Sequence, residues 1–135
     1  MPSIFTKIIQ GEIPCYKIAE DENHLAFLDI FPLQKGHTLV VPKKEIDKLF
    51  DLEAHEYLSL QQFAYKIAKA IEKVIPCNRI GMAVIGLEVP HAHIHLIPIN
   101  AEKDMNFSSP KLQFTKEEFL ETAELIKKFL DFEHF

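Results

Sequence analysis

His91-Ala92-His93-Ile94-His95-Leu96-Ile97-Pro98-Ile99 sets three histidines at alternate positions and runs them into an apolar stretch. Successive side chains of an extended chain point to opposite faces, so a period of two puts the imidazoles on one side and Ala92, Ile94 and Leu96 on the other. The stretch reads as a sheet strand with a histidine row above an apolar floor. Imidazole has an ordinary pKa near neutrality, so such a row can donate, accept and attack within one pH window. A core role suits one strand histidine better than three out of a total of 7. A metal reading stands beside the acid-base one, because His91 and His93 could offer two ligands to zinc through bonds of about 2 Å. The Cα atoms of His91 and His95 would then lie ~13 Å apart, leaving the third ring idle.

The flanking sequence alternates strands and helices. Ser3 can cap a short helix carrying Phe5 and Ile8, with Gly11 at its stop and Pro14 beyond. Tyr16 to Ala19 and His24 to Ile30 read as strands around the polar turn Glu20-Asp21-Glu22-Asn23, and Gly36 precedes a third, His37 to Val41. From about Asp51 to Val74, Leu60, Phe63, Ala64, Ile67, Ile71 and Val74 follow helical spacing. Arg79 to Leu87 and Ala92 to Ile99 give two more strands, and Thr115 with Glu118 forms a capping box for a last helix through about Leu130. The spacing predicts an α+β fold: a five-stranded antiparallel sheet with one long and two shorter helices.

At 135 residues the chain is predicted to be one domain over 1–135, long enough to bury roughly two-thirds of its unfolded surface. Fifteen Lys and Arg against 20 Asp and Glu leave a net charge of -5. That balance argues against polymeric nucleic acid, which needs a basic surface, while allowing a single nucleotide in a pocket. Cys15 and Cys77 form no Cys-x-x-Cys pair, and no secretory apolar region follows Met1-Pro2-Ser3, so a reduced, cytoplasmic setting is expected. No apolar run approaches the ~20 residues of a membrane helix, so no membrane partner is expected.

The triad, preceded by Phe27-Leu28-Asp29-Ile30-Phe31-Pro32, by Gly36-His37-Thr38-Leu39-Val40-Val41-Pro42-Lys43 and by the opening Ile4-Phe5-Thr6-Lys7-Ile8-Ile9, resembles the histidine-triad (HIT) family near its nucleotide-binding, phosphoramidase branch. The likeness covers about residues 3 to 99. It implies a HIT-like fold whose sheet extends across a homodimer, joined here partly by the apolar face of the 51–74 helix. It implies attack by His93 on the α-phosphorus of a purine nucleotide phosphoramidate, anhydride or ester, giving a nucleotidyl-histidine that water cleaves. By the same resemblance His91 holds the tautomer of His93 through its carbonyl, His95 hydrogen-bonds the phosphate oxygens and His37 supports them. Asp29 matches the acid that accepts from both ribose hydroxyls, a task two carboxylate oxygens can perform. Phe5, Ile8, Ile13, Phe27 and Ile30 fall where members sandwich the base.

Two departures qualify the likeness. Active members usually carry Asn, Gln and Ser ahead of the triad as phosphate donors, whereas none occurs from Arg79 to Pro90 and the loop reads Gly86-Leu87-Glu88-Val89-Pro90. Losing one such donor costs on the order of 100 to 1000 fold in rate. Either backbone N–H groups substitute, or Glu88 recognises a cationic part of another substrate. Several bacterial members also hold a structural zinc, and its ligand positions here are Ser3, Thr6 and Glu45 beside His91. These do not build the N/S site zinc prefers, so neither metal nor cofactor is expected. Three readings stay open: a nucleotide hydrolase or transferase using covalent histidine chemistry, a nucleotide-binding module with a degenerate site, and a metal-dependent hydrolase using His91 and His93.

Overall fold

The computed structural model describes residues 2–130; Met1 and residues 131–135, the ends of the expected 1–135 unit, lie outside the described residues. Strands β1 (Lys17–Glu20), β2 (His24–Leu28), β3 (Thr38–Pro42), β4 (Arg79–Ala83) and β5 (Ile94–Ile99) form an antiparallel sheet in the order β1-β2-β3-β5-β4. Helices α1 (Ile4–Ile9), α2 (Ala54–Val74) and α3 (Lys116–Lys128) accompany it, matching the expected architecture. No described helix is long and apolar enough to cross a membrane.

The caps do what their residue types allow. Ser3 Oγ accepts from Thr6 N at 3.0 Å to open α1, and Gly11, at φ +82, takes the left-handed turn that ends it. Thr115 and Glu118 exchange hydrogen bonds at 3.1 and 2.9 Å to open α3. The long helix starts at Ala54 rather than about Asp51, because Leu49–Asp51 closes as a 3-10 turn and Glu53 takes the capping position, its N–H on Glu56 Oε1 at 3.0 Å.

Strand alternation divides the core. Ala26, Leu28, Val40, Ile94 and Leu96 pack with Leu60, Phe63, Ala64, Ile67 and Ile71 of α2 and Ala123 and Ile126 of α3. Leu25, Phe27, Leu39 and Val41 point the other way, to Phe5 and Ile8 of α1. The apolar face of α2 is therefore spent on this chain's own sheet, which corrects the expectation that it drives dimer formation. Cross-strand pairing of Leu39 with His95 puts His95 on the α1 face.

Three strands are shorter at the site than the periodicity predicts. The strand expected from Ala92 begins at Ile94, because Ala92 N donates to Ile46 O at 2.7 Å and His91 N to Val89 O at 2.8 Å instead of continuing the ladder. The strand expected to reach Leu87 ends at Ala83, which pairs with His95; β5 runs only one residue further, to Ile94, and residues 84–90 loop away, Gly86 at φ +72. Likewise β2 stops at Leu28, so Asp29 and Ile30 sit in the turn leading to β3.

Candidate active site

Three histidines and an acid converge where β2, β3 and β5 end, on the α1 side of the sheet. The rings are not the even row the sequence predicts. His91 is fully buried and does not line the cavity: its Nε2–H donates to Pro42 O at 2.8 Å, and its Nδ1 accepts from Ser3 Oγ at 2.8 Å. Its contribution toward the cavity is its carbonyl, which accepts from His93 Nδ1–H at 2.7 Å.

That bond fixes the tautomer of His93. With the proton on Nδ1, Nε2 keeps its lone pair. A second chain of bonds fixes His95. Leu33 N donates to His37 Nδ1 at 3.0 Å, so the neutral His37 ring carries its proton on Nε2 and donates it to His95 Nδ1 at 2.9 Å. His95 must then carry its own proton on Nε2. No buried side-chain nitrogen or oxygen among the described residues lacks a partner, so the unbonded Nε2 atoms of His93 and His95 open on the cavity. A lone pair on one ring thus stands beside an N–H on the next, ring centroids 4.9 Å apart.

Burial keeps these rings neutral. It pushes His37 down to about 3, with His95 and Lys111 adding to the effect, and His95 down to about 4, with His93 adding. His93 is lowered for the same reason, partly offset by its bond to the His91 carbonyl. Asp29 is raised by burial, against the opposing pull of the Phe31 N–H on Oδ1 at 2.9 Å and of Lys111. Its Oδ2 lies 3.6 Å from His37 Nε2.

The cavity these groups share is about 520 Å³. Phe5, Ile8, Ile13, Phe27 and Ile30, which the family likeness set around a base, all line it, and Phe5 and Phe27 are core residues too, buried in the smaller apolar cluster. Phe5 meets His93 edge-on at 5.0 Å and Phe27 at 5.7 Å. Asp29, His37, Leu87 and Glu88 also line the cavity; Leu87 and Glu88 are exposed.

A metal shared by His91 and His93 does not fit, because both ring nitrogens of His91 are engaged elsewhere. Asp29, His37 and His95 do bring ligand atoms within 4.8 Å of one another. Yet His37 Nε2 and His95 Nδ1 share a proton, and an ion between them would have to displace it.

Two groups at the site escaped the sequence reading. Ser3, Thr6 and Glu45, read there as unsuited to zinc and, for Ser3, as a helix cap, form a cluster: Ser3 N and Thr6 Oγ1 both donate to Glu45 Oε1, at 2.6 and 2.7 Å, while Ser3 Oγ holds His91. Phe107 and Lys111, from beyond the residues the likeness covers, line the cavity as well; Phe107 lies edge-on to His95 at 4.8 Å. No local pattern marks either residue.

The HIT domain family model matches residues 10–102. The adenosine 5'-monophosphoramidase of Schizosaccharomyces pombe is 36% identical over 129 residues, covering 93% of this chain and 96% of its own. An uncharacterised HIT-like protein of Methanocaldococcus jannaschii is 42% identical over 102 residues, covering 70% of this chain and 77% of its own. The crystal structure of a HIT-like protein from Bartonella henselae, described as involved in cell-cycle regulation, superposes with a TM-score of 0.81 at 32% identity, over 95% of this chain and 96% of that one. With its histidines, its sheet and these likenesses in agreement, the chain belongs to the histidine-triad (HIT) family.

Proposed function

We propose that the chain is a nucleotide hydrolase or transferase acting at the α-phosphate of a purine nucleotide derivative, with His93 as nucleophile. The observation that carries this reading is the bond from His93 Nδ1 to the His91 carbonyl, which leaves the Nε2 lone pair facing the cavity. Attack forms a bond from Nε2 to phosphorus; the bond to the leaving group breaks with its electron pair, and that group takes up a proton. Water then attacks phosphorus, the bond to nitrogen breaks, and the nucleoside monophosphate leaves. His95 Nε2–H, fixed through His37, donates to a phosphate oxygen as charge develops. Asp29 accepts from the ribose hydroxyls, and Phe5, Ile8, Ile13, Phe27 and Ile30 enclose the base. A phosphoramidase activity is supported by the likeness to the fission-yeast adenosine 5'-monophosphoramidase. The reading includes a cytoplasmic homodimer formed along β4, one of the two edge strands.

A screen of adenosine 5'-phosphoramidates, dinucleoside polyphosphates and nucleotidyl-sugars, with intact-mass detection of an adduct on His93, tests it. His93→Ala is expected to lose turnover while retaining nucleotide binding. A second reading, a nucleotide-binding module with a weak site, is favoured by Leu87 and Glu88 standing where members carry phosphate donors. It predicts binding without release of nucleoside monophosphate from any of these compounds.

A further inference from the structure

The polar wall of the cavity has a charge problem that the histidines do not solve. A nucleotide phosphate brings negative charge, and His37, His93 and His95 are all held neutral by burial. Of the donors they offer, one N–H, on His95, faces the cavity. The β4–β5 loop adds Leu87 and Glu88, an apolar group and an anion. Among the described residues lining the cavity, the charged ones are Asp29, Glu88 and Lys111, and Lys111 is the single cation.

The loop carrying Lys111 is built onto the site. Leu112 N donates to Pro32 O at 2.8 Å, tying it to the β2–β3 turn that holds Asp29. Phe107 packs edge-on against His95 at 4.8 Å and His37 at 6.3 Å. Lys111 Nζ donates to the carbonyls of Phe107 and Ser109 at 2.6 and 3.1 Å, which leaves the third of an ammonium's N–H bonds for a ligand. The field of the ammonium already reaches both Asp29 and His37.

We propose that Lys111, held at the cavity by the 106–113 loop, engages the phosphate of the bound nucleotide and stands in for the donors the β4–β5 loop lacks. The segment after Asn100 is on this view part of the binding site, not an appendage to it. The inference rests on the nucleotide reading above and names the group that makes the site selective for nucleotides over nucleosides.

Calorimetric titration of the wild type, Lys111→Ala and Lys111→Arg with AMP and with adenosine tests it. A charge-assisted hydrogen bond is worth about 1.5–3 kcal/mol, so Lys111→Ala should weaken AMP binding by about tenfold to a hundredfold. Adenosine affinity should stay within about twofold, since a nucleoside offers no phosphate charge for Lys111 to meet. Lys111→Arg should restore most of the AMP affinity. Equal losses for both ligands would mean that the loop only shapes the pocket, and unchanged AMP binding would mean that Lys111 does not touch phosphate; either overturns the inference while the nucleotide reading survives. A wild type that binds neither ligand overturns both.

Discussion

On the proposed mechanism His93 attacks only while its Nε2 lone pair is free, and that gives its pH dependence a sign. Protonation blocks attack, so the rate falls as pH drops through the folded pKa of His93, which burial holds below the usual histidine value of about 6.5. The value of kcat/KM for a phosphoramidate should therefore be level from pH 8 to about 6.5 and decline at lower pH. A rate that does not fall at all on acidification while the protein stays folded would mean that no imidazole lone pair is consumed. His37 cannot take the proton in its place, because both its nitrogens are committed, one as acceptor from Leu33 N–H and one as donor to His95. Among individual residues, spacing singles out the histidines of the triad, and the family likeness adds His37 and Asp29; the structure brings His37, His93, His95 and Asp29 to one cavity. Spacing misplaces His91, since a period of two says which face a strand residue takes and nothing of where the strand begins.

Between elements, the short helix α1 is tied to the triad by the Ser3 hydroxyl, by Thr6 Oγ1 at 3.4 Å from His91 Nδ1 and by Phe5, edge-on to both His91 and His93. Ser3 Oγ caps α1 by accepting from Thr6 N, and the same hydroxyl hydrogen-bonds the buried His91 ring. Ser3→Ala removes a cap worth about 1 kcal/mol. It also removes the shorter of the two hydroxyl contacts to a fully buried ring nitrogen, leaving Thr6 Oγ1 at 3.4 Å, at a cost of about another 1 kcal/mol. Thermal unfolding should show a loss of about 2 kcal/mol or more, with Ser3→Thr recovering most of it. A Ser3→Ala protein as stable as the wild type would show that Pro42 and Thr6 hold His91 without the Ser3 hydroxyl. The sequence marks Ser3 as a helix cap, and correctly; its second task depends on residues 88 positions away and has no local signature. The capping box of α3 is legible for the opposite reason, because Thr115 and Glu118 satisfy each other.

Across the whole molecule, β1 and β4 are the sheet's edges. Along and just beyond β4, Met82, Val84, Ile85 and Leu87 are exposed at 47%, 41%, 45% and 89%, an apolar border of the kind that pairing with a second copy would cover. Sedimentation is expected to give twice the 15.6 kDa of the chain, and Met82→Lys to shift the population toward monomer. A wild type that sediments as a monomer would remove the proposed dimer. The alternating pattern of the strands, the helical spacing from Leu60 to Ile71 and the caps at Ser3 and Thr115 determined the fold from the sequence alone, because each records a local periodicity or a bond between near neighbours. Only the tertiary structure decided that His91 turns away from the cavity, that the apolar face of α2 is consumed within the chain, and that Phe107 and Lys111 reach the histidines. Those outcomes depend on which distant carbonyls, hydroxyls and faces the packed sheet brings within a few ångströms, and no spacing along the chain encodes that.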